Sequence, residues 1–172
     1  FLKYMNILIT GCAGFIGNAF ALKLLKTSKN TKVIGLDNLD KFYSIKLKKK
    51  RLSLISDFKN FKFYKTDLLN KNDLEKIFKK NKIDIIFNFA AQAGVRYVSS
   101  HPEKFIESNI YGFHNLMEVS KKYNISKFFY ASSSSVYGDR NKYPADENDK
   151  LYPKNIYGLS KKVNEEYVDM YL

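Results

Sequence analysis

Tyr157 and Lys161 stand one helical turn apart in the sequence YGLSK, and this spacing could support proton transfer. On a helix, residues i and i+4 share a face, so the lysine ammonium can approach the phenol. A free phenol is too weakly acidic to act as a base near neutral pH, but a neighbouring cation favours the phenolate. A hydroxyl from the serines Ser132–Ser135 would then orient a substrate oxygen. The same spacing alone also fits a surface pair with a half-buried tyrosine.

Three glycines, Gly11, Gly14 and Gly17, follow the apolar run Ile7–Ile9 at three-residue intervals. The run is typical of a strand buried on both faces, and Phe15–Lys26 has apolar residues at helical spacing. A strand, a tight turn and a helix N-terminus form a site for pyrophosphate, because unpaired N–H groups and the helix dipole favour negative charge. The pattern favours dinucleotide binding over a turn that binds nothing.

Acidic residues end the next two predicted strands. Asp37 closes the run VIGLD, where a carboxylate can hold an adenosine ribose. Asp67 follows the strand Phe61–Lys65 and would either accept a hydrogen bond from the adenine amino group or only cap the next helix. Between them, Asp40–Ser56 predicts a short helix whose residues Lys48–Arg51 are expected to face solvent.

Further elements alternate along the rest of the chain. Ile83–Phe89 and Phe128–Ala131 predict two more strands, Asn72–Lys80 predicts a helix, and His101–Pro102 begin a long helix. Strands separated by helices predict an α/β fold, a Rossmann-type doubly wound parallel sheet with helices on both faces. Ligands are then expected beyond the carboxyl ends of the strands.

Composition excludes several classes of function. The chain has 172 residues and a net charge of +13, but its lysines are scattered, which argues against nucleic-acid binding. No apolar run approaches the length that spans a membrane. The single cysteine, Cys12, indicates a reducing cytoplasm and fits the glycine turn as a small residue rather than a nucleophile. His101 and His114 lack partners at metal-ligand spacing, so no metal site is expected.

The motifs TGCAGFIG, LDNLDKFY, FAAQAGVRY, SNIYGFHN, YASSSSVYG and YGLSK occur in this order. Together they resemble the extended short-chain dehydrogenase/reductases, and AAQAGVRY with ASSSSVYG is most similar to the UDP-glucuronate 4-epimerases. UDP-glucose 4-epimerases, UDP-glucuronate decarboxylases and sugar-nucleotide 4,6-dehydratases share most of these motifs and stay open as alternatives. In the dehydratases an Asp-Glu pair is expected where Ser134 and Ser135 stand, which lowers that alternative.

The resemblance implies a role for each motif residue. Tyr157 would be the base, Lys161 would bind the nicotinamide ribose and favour the phenolate, and Ser133 would orient the substrate. The implied substrate contacts are Ser134, Ser135 and Arg96, the last either a partner for a substrate carboxylate or an ordinary surface arginine. The implied NAD-binding residues are Gly11, Gly14, Phe15, Ile16, Gly17, Asp37, Asn38, Asp67, Leu68, Ala90, Ala91, Ala93, Asn109, Tyr157 and Lys161. A carboxylate at Asp37 would repel a 2′-phosphate, which favours NAD over NADP.

The implied reaction is transient oxidation of a nucleotide sugar at C4. The resemblance also implies a homodimer formed through a four-helix bundle of Glu103–Lys122 and Ile156–Leu172. The helical pattern at the end of the chain has no stop signal, and relatives run longer. We therefore expect residues 1–172 to be the NAD-binding Rossmann domain, without the C-terminal part that forms the sugar pocket, so the fragment could turn over slowly. A non-catalytic NAD-binding sensor or scaffold is the alternative from another class.

Overall fold

Five short strands form one parallel sheet. The computed structural model describes residues 4–94, 101–125, 127–140 and 143–171. The strands are β1 (Met5–Thr10), β2 (Thr31–Asp37), β3 (Phe61–Lys65), β4 (Ile85–Asn88) and β5 (Lys127–Tyr130). Their order in the sheet is β3-β2-β1-β4-β5, and every neighbouring pair is parallel. The central strand aligns Ile7 with Val33 on one side and with Ile85 on the other.

Helices connect the strands, and local capping fixes where several of them begin. They are α1 (Phe15–Thr27), α2 (Ile45–Ser53), α3 (Lys71–Asn81), α4 (Pro102–Phe105), α5 (Gly112–Lys122) and α6 (Ile156–Asp169). Ser44, Asn70 and Asn155 each accept a hydrogen bond from a backbone N–H in the first turn of α2, α3 and α6. These bonds satisfy donors that a helix start leaves unpaired.

Each face of the sheet has its own core, because successive side chains of a strand point to opposite faces. In β1, Leu8 packs with residues of α3 and α5 such as Leu74 and Leu116. Its neighbours Ile7 and Ile9 pack on the other face with Ala21 and Leu25 of α1. Helices therefore cover both faces, which confirms the predicted doubly wound α/β sheet.

The predicted long helix from Pro102 contains a segment that the sequence did not indicate. Ile106–Tyr111 forms a π-helix between α4 and α5, and the Gly112 N–H donates to the Glu107 carbonyl five residues earlier. Such wide turns are rare and cluster at functional sites. Asn109 lies within this segment, and its side chain is buried.

The chain divides into two compact units. The first consists of Phe1–Ala90 and Asn115–Tyr130 and holds the whole sheet; the second consists of Ala91–His114 and Ala131–Leu172. The assignment of residues 1–172 to one NAD-binding domain stays a prediction. No helix within the described ranges is both long and apolar enough to cross a membrane.

Candidate functional site

The glycine loop after β1 closes tightly against neighbouring backbone. Gly11 has φ +66°, and a Cβ added there would lie 2.8 Å from the Ala90 nitrogen. A Cβ at Gly17 would lie 2.4 Å from the Gly11 carbonyl oxygen. Glycine is required at both positions, because a side chain would collide with backbone that has no room to move. The loop thus brings the start of α1 close to the ends of β1 and β4.

The N-terminus of α1 is open to an anion. Gly14 is its N-cap, no side chain caps it, and the first turn carries no acidic residue. Phe15 and Ile16 are 77% and 60% exposed, unusual for large apolar side chains beside a backbone loop. Uncapped N–H groups and the helix dipole fit the pyrophosphate of a dinucleotide.

Asp37, at the carboxyl end of β2, is buried and holds the glycine loop. Its Oδ2 accepts a hydrogen bond from the Ala13 N–H at 3.1 Å, and its Oδ1 accepts one from the Leu39 N–H at 2.8 Å. Each carboxylate oxygen has a further lone pair, so the group can still accept a ribose hydroxyl. The carboxylate therefore links the glycine loop to the position predicted for the ribose.

The expectation that Lys48–Arg51 face solvent was wrong for Lys48. Its side chain is buried, with Nζ 3.7 Å from Asp37 Oδ1. The reason is electrostatic. The ammonium of Lys48, on α2, offsets the cost of burying the Asp37 carboxylate. Lys49 and Lys50 are exposed as expected. Arg51 is half-buried, with its guanidinium carbon 5.7 Å from the centre of the Phe15 ring.

Asp67 does not cap the helix that follows it, so that alternative was wrong. Asn70 is the N-cap of α3, whereas Asp67 Oδ1 accepts from the Leu69 N–H and its Oδ2 accepts from Asn38 Nδ2 at 2.7 Å. The Asn38–Asp67 hydrogen bond joins the loops that follow β2 and β3. Leu68 between them is a buried core residue, which leaves its backbone as the part able to contact a ligand.

Thr10 and Asn88 form a polar pair that sequence reasoning missed. They face each other at the carboxyl ends of β1 and β4, where the Thr10 hydroxyl donates to Asn88 Oδ1. The same hydroxyl accepts from the Ala90 N–H at 3.2 Å. The sequence offered one signal for this pair, because a polar residue follows each of the apolar runs of β1 and β4. The pair fixes the first residue of the small-residue loop after β4.

In the second unit, Ser133 begins a single 3₁₀ turn, Ser134–Val136. Its Oγ accepts a hydrogen bond from the Ser135 N–H at 3.2 Å, which leaves the hydroxyl hydrogen available to an external oxygen. Ser134 is exposed, and Ser135 is half-buried. We call Ala131–Ser135 the serine segment.

Helix α6 carries Tyr157 and Lys161 as predicted and packs on the serine segment. Lys161 is 4% exposed, and its Nζ donates to the Ala131 carbonyl at 2.9 Å. Burial lowers the pKa of Lys161 to about 8, because the charged form loses solvation. The Tyr157 ring is half-buried, with the edge-to-face ring of Phe105 at 6.2 Å. Gly158 fits because a Cβ there would lie 2.5 Å from the Ser135 carbonyl oxygen.

Asn109 ties the loop after β4 to α6. Its Oδ1 accepts from the Gln92 N–H at 2.7 Å, and its Nδ2 donates to the Gln92 carbonyl and to Ser160 Oγ, each at 3.0 Å. Ser160 in turn donates to the Tyr157 carbonyl at 2.7 Å. Both amide hydrogens of Asn109 are therefore used within the protein. Its predicted contact with NAD stays a prediction, and Gln92 and Ser160 were not singled out from the sequence.

The remaining predicted residues divide between the units. The first unit holds Gly11, Gly14, Phe15, Ile16, Gly17, Asp37, Asn38, Asp67, Leu68 and Ala90, and the second holds Ala91, Ala93, Asn109, Ser133, Ser134, Ser135, Tyr157 and Lys161. Arg96 lies outside the described residues. Cys12 is buried, and burial raises the pKa of its thiol, so the thiolate needed for a nucleophile is disfavoured. The described part of the chain contains no metal-binding cluster of His, Cys, Asp or Glu.

Curated proteins resemble this chain along nearly its whole length. CapI of Staphylococcus aureus is 46% identical over 94% of this chain and 48% of its own length. The dTDP-D-glucose 4,6-dehydratase of Dictyostelium discoideum is 41% identical over 99% of this chain and 41% of its length. This chain thus spans about half the length of the curated relatives it matches.

Solved structures share the fold. The crystal structure of UDP-glucuronic acid 4-epimerase from Bacillus cereus, in complex with UDP-glucuronic acid and NAD, aligns with a TM-score of 0.90 and 32% identity. The alignment covers 97% of this chain and 52% of that one. The sequence profile of the family described as GDP-mannose 4,6 dehydratase matches residues 8–172. The chain therefore belongs to this family of epimerases and dehydratases, of the short-chain dehydrogenase/reductase type.

Proposed function

We propose that residues 1–172 are the NAD-binding portion of a nucleotide-sugar 4-epimerase that acts on UDP-glucuronate. The observation that carries the proposal is the packing of α6 on the serine segment, which keeps Tyr157, Lys161 and Ser133 within one compact unit. The structural similarity to an epimerase solved with UDP-glucuronic acid and NAD supports the substrate and the cofactor.

The residues of the glycine loop and the strand ends fit NAD. The uncapped start of α1 would hold the pyrophosphate, Asp37 and Asn38 the adenosine ribose, and Asp67 and Leu68 the adenine. Ala90, Ala91, Ala93, Asn109, Tyr157 and Lys161 are assigned to the nicotinamide side. When bound, NAD would supply a hydride acceptor for C4 of the sugar and, once reduced, a hydride donor.

The protein's own groups handle the proton. The phenolate oxygen of Tyr157 takes the proton of the sugar 4-hydroxyl and returns a proton to the same oxygen when the ketone is reduced. Ser133 donates its free hydroxyl hydrogen to that oxygen. Lys161 stays largely protonated at neutral pH, because its pKa of about 8 lies above that range.

A decarboxylase or a 4,6-dehydratase is the second candidate, since a dehydratase is among the relatives. Ser134 and Ser135 disfavour the dehydratase, because hydroxyls cannot replace the carboxyl pair that assists water loss. The test is incubation of the full-length protein with UDP-glucuronate and NAD. We expect the 4-epimer without release of CO₂; a UDP-pentose product would replace the epimerase with the decarboxylase.

Replacing the base separates an enzyme from an NAD-binding sensor or scaffold. Tyr157→Phe keeps the ring against Phe105 but removes the hydroxyl, so we expect turnover to fall by about 10²–10⁴. Tyr152→Phe is the matched control, because that side chain is 69% exposed on a loop. Unchanged cellular function of the Tyr157→Phe variant would favour the sensor.

We also propose that the full-length protein is a cytoplasmic homodimer formed through the helices of Glu103–Lys122 and Ile156–Leu172. In the second unit, a cavity between these helices is lined mainly by aliphatic and aromatic side chains: Ile110, Tyr111, Phe113, His114, Val163, Asn164 and Tyr167. Val163→Arg should give a monomer in sedimentation velocity, whereas Leu54→Arg, at an exposed site in the first unit, should not. A Val163→Arg dimer would refute this interface.

A further inference from the structure

We infer that Glu165 is a positioning residue that holds the serine segment on α6 and thereby places the hydroxyl of Ser133. Ser132 Oγ donates a hydrogen bond to Glu165 Oε1. The inference rests on the proposed function, because it assigns Ser133 the task of orienting a substrate oxygen. Neither Ser132 nor Glu165 has a role in the proposed proton transfer itself.

Three residues at successive turns of α6 meet the serine segment. Gly158, Lys161 and Glu165 are separated by three and four positions and so lie on one face of the helix. Gly158 meets the Ser135 carbonyl, and Lys161 donates to the Ala131 carbonyl. Glu165 accepts the Ser132 hydroxyl. These contacts fall on both sides of Ser133.

The contact through Glu165 is the one made by side chains alone. The contacts at Gly158 and Lys161 both reach backbone carbonyl oxygens, so they fix the path of the chain but not the rotation of Ser132. Ser132 directly precedes Ser133, and holding its side chain restricts the backbone rotation between the two residues. The Ser135 N–H already holds the Ser133 oxygen, so Glu165 acts on the placement of the backbone that carries Ser133.

Because the hydrogen bond between Ser132 and Glu165 lies at the surface, its effect on the placement of Ser133 can be measured apart from its effect on the stability of the fold. Ser132 is exposed and Glu165 is half-buried, so water competes for both partners. A bond of this kind contributes little to the free energy of folding. Its loss should change the rate of reaction while the urea midpoint of unfolding stays the same.

The neighbouring glutamate provides a matched control. Glu166 follows Glu165 directly, is exposed, and has its Oε1 3.5 Å from the Nζ of Lys162. Substitution of either glutamate removes one negative charge from the same helical turn. A change that comes from net charge or helix propensity would appear in both variants.

The experiment uses full-length protein with UDP-glucuronate and NAD. We expect Glu165→Ala to lower kcat about threefold, because a weak surface bond can bias the placement of the donor by no more than its own free energy. KM for the sugar and the Kd of NAD should stay within about twofold of the parent values. The urea midpoint of unfolding should not change. Glu165→Gln should keep most of the rate, since its amide oxygen accepts the same hydroxyl. Ser132→Ala should match Glu165→Ala, and the double variant should be no slower than either single one.

The outcomes separate this inference from the proposed function. Parental kcat in Glu165→Ala, alongside an inactive Tyr157→Phe, would overturn the positioning role and leave the epimerase proposal standing. If kcat fell equally in Glu165→Gln, or by the same factor in Glu166→Ala, the positioning role would be overturned, and the loss would be explained by the change in net charge. A lowered urea midpoint that accounts for the lost rate would overturn it in favour of folding. Full activity of Tyr157→Phe would instead refute the proposed function.

Discussion

Replacing Lys161 by methionine should change how the stability of the fold depends on pH, while abolishing the proposed reaction. The Lys161 side chain is 4% exposed, and burial lowers its pKa from 10.5 to about 8. Methionine has a similar length and no charge, so it can fill the same space. The loss of the ammonium removes the group that, in the proposal, binds the nicotinamide ribose.

The magnitude follows from the two pKa values of Lys161. At 1.36 kcal/mol per pKa unit, keeping this lysine charged and buried costs about 3 kcal/mol at pH 7. Between pH 8 and 10.5 the unfolded chain binds more protons than the native one, so the stability of the parent rises with pH. The cost falls to about 1 kcal/mol near pH 9.5. The lost hydrogen bond to the Ala131 carbonyl offsets about 1–3 kcal/mol of the gain in the variant at every pH.

The hydrogen-bond offset is the same at every pH. The change with pH in the difference in unfolding free energy between the parent and Lys161→Met is therefore a better test than the difference at one pH. Urea unfolding should be followed by circular dichroism near pH 7 and near pH 9.5. Between these two pH values, the unfolding free energy of the parent should rise by about 2 kcal/mol relative to that of Lys161→Met. Lys162→Met, at the half-buried neighbour, is the control and should show no such gain. Parallel pH dependence of the parent and Lys161→Met would refute the reasoning, because the buried cation would then carry no penalty.

Three other substitutions test the remaining parts of the site. Gly17→Ala sets a methyl group 2.4 Å from the Gly11 carbonyl oxygen, so we expect a loss of about 1–3 kcal/mol of stability and much weaker NAD binding by titration calorimetry; parental affinity would contradict the loop geometry. Lys48→Met leaves the buried Asp37 without its cation and should lower the urea unfolding free energy by about 1–3 kcal/mol, whereas Lys49→Met should not. Asn109→Leu leaves buried backbone groups unpaired and should lower that free energy by about 2–4 kcal/mol, and an unchanged midpoint would argue against the hydrogen-bond network.

Local patterns were sufficient to predict the sheet. Strand β3 has the predicted bounds Phe61–Lys65, and the glycine loop with its following helix lies where the spacing of Gly11 to Gly17 placed it. These features depend on side-chain periodicity and on tight turns and close backbone approaches that favour glycine. Both are properties of neighbouring residues, so they can be read from a single sequence.

The parts that escaped prediction depend on tertiary contacts. Lys48 looked like one of a run of solvent-facing lysines, and only the placement of α2 against Asp37 buries it. The hydrogen bond between Ser132 and Glu165 joins residues 33 positions apart. The π-helix at Ile106–Tyr111 requires one extra residue per turn, which no periodic pattern of the segment announces.

The tether from Asp37 to the Ala13 N–H has a consequence for how coenzyme preference can change in this lineage. Under the proposed function, accepting a phosphorylated ribose would require the Asp37 carboxylate to be replaced, and the same replacement would free the glycine loop assigned to the pyrophosphate. The proposed preference for NAD and the shape of the glycine loop would then depend on the same side chain. A shift toward the phosphorylated coenzyme needs at least two coordinated substitutions, one to admit the new charge and one to hold Ala13.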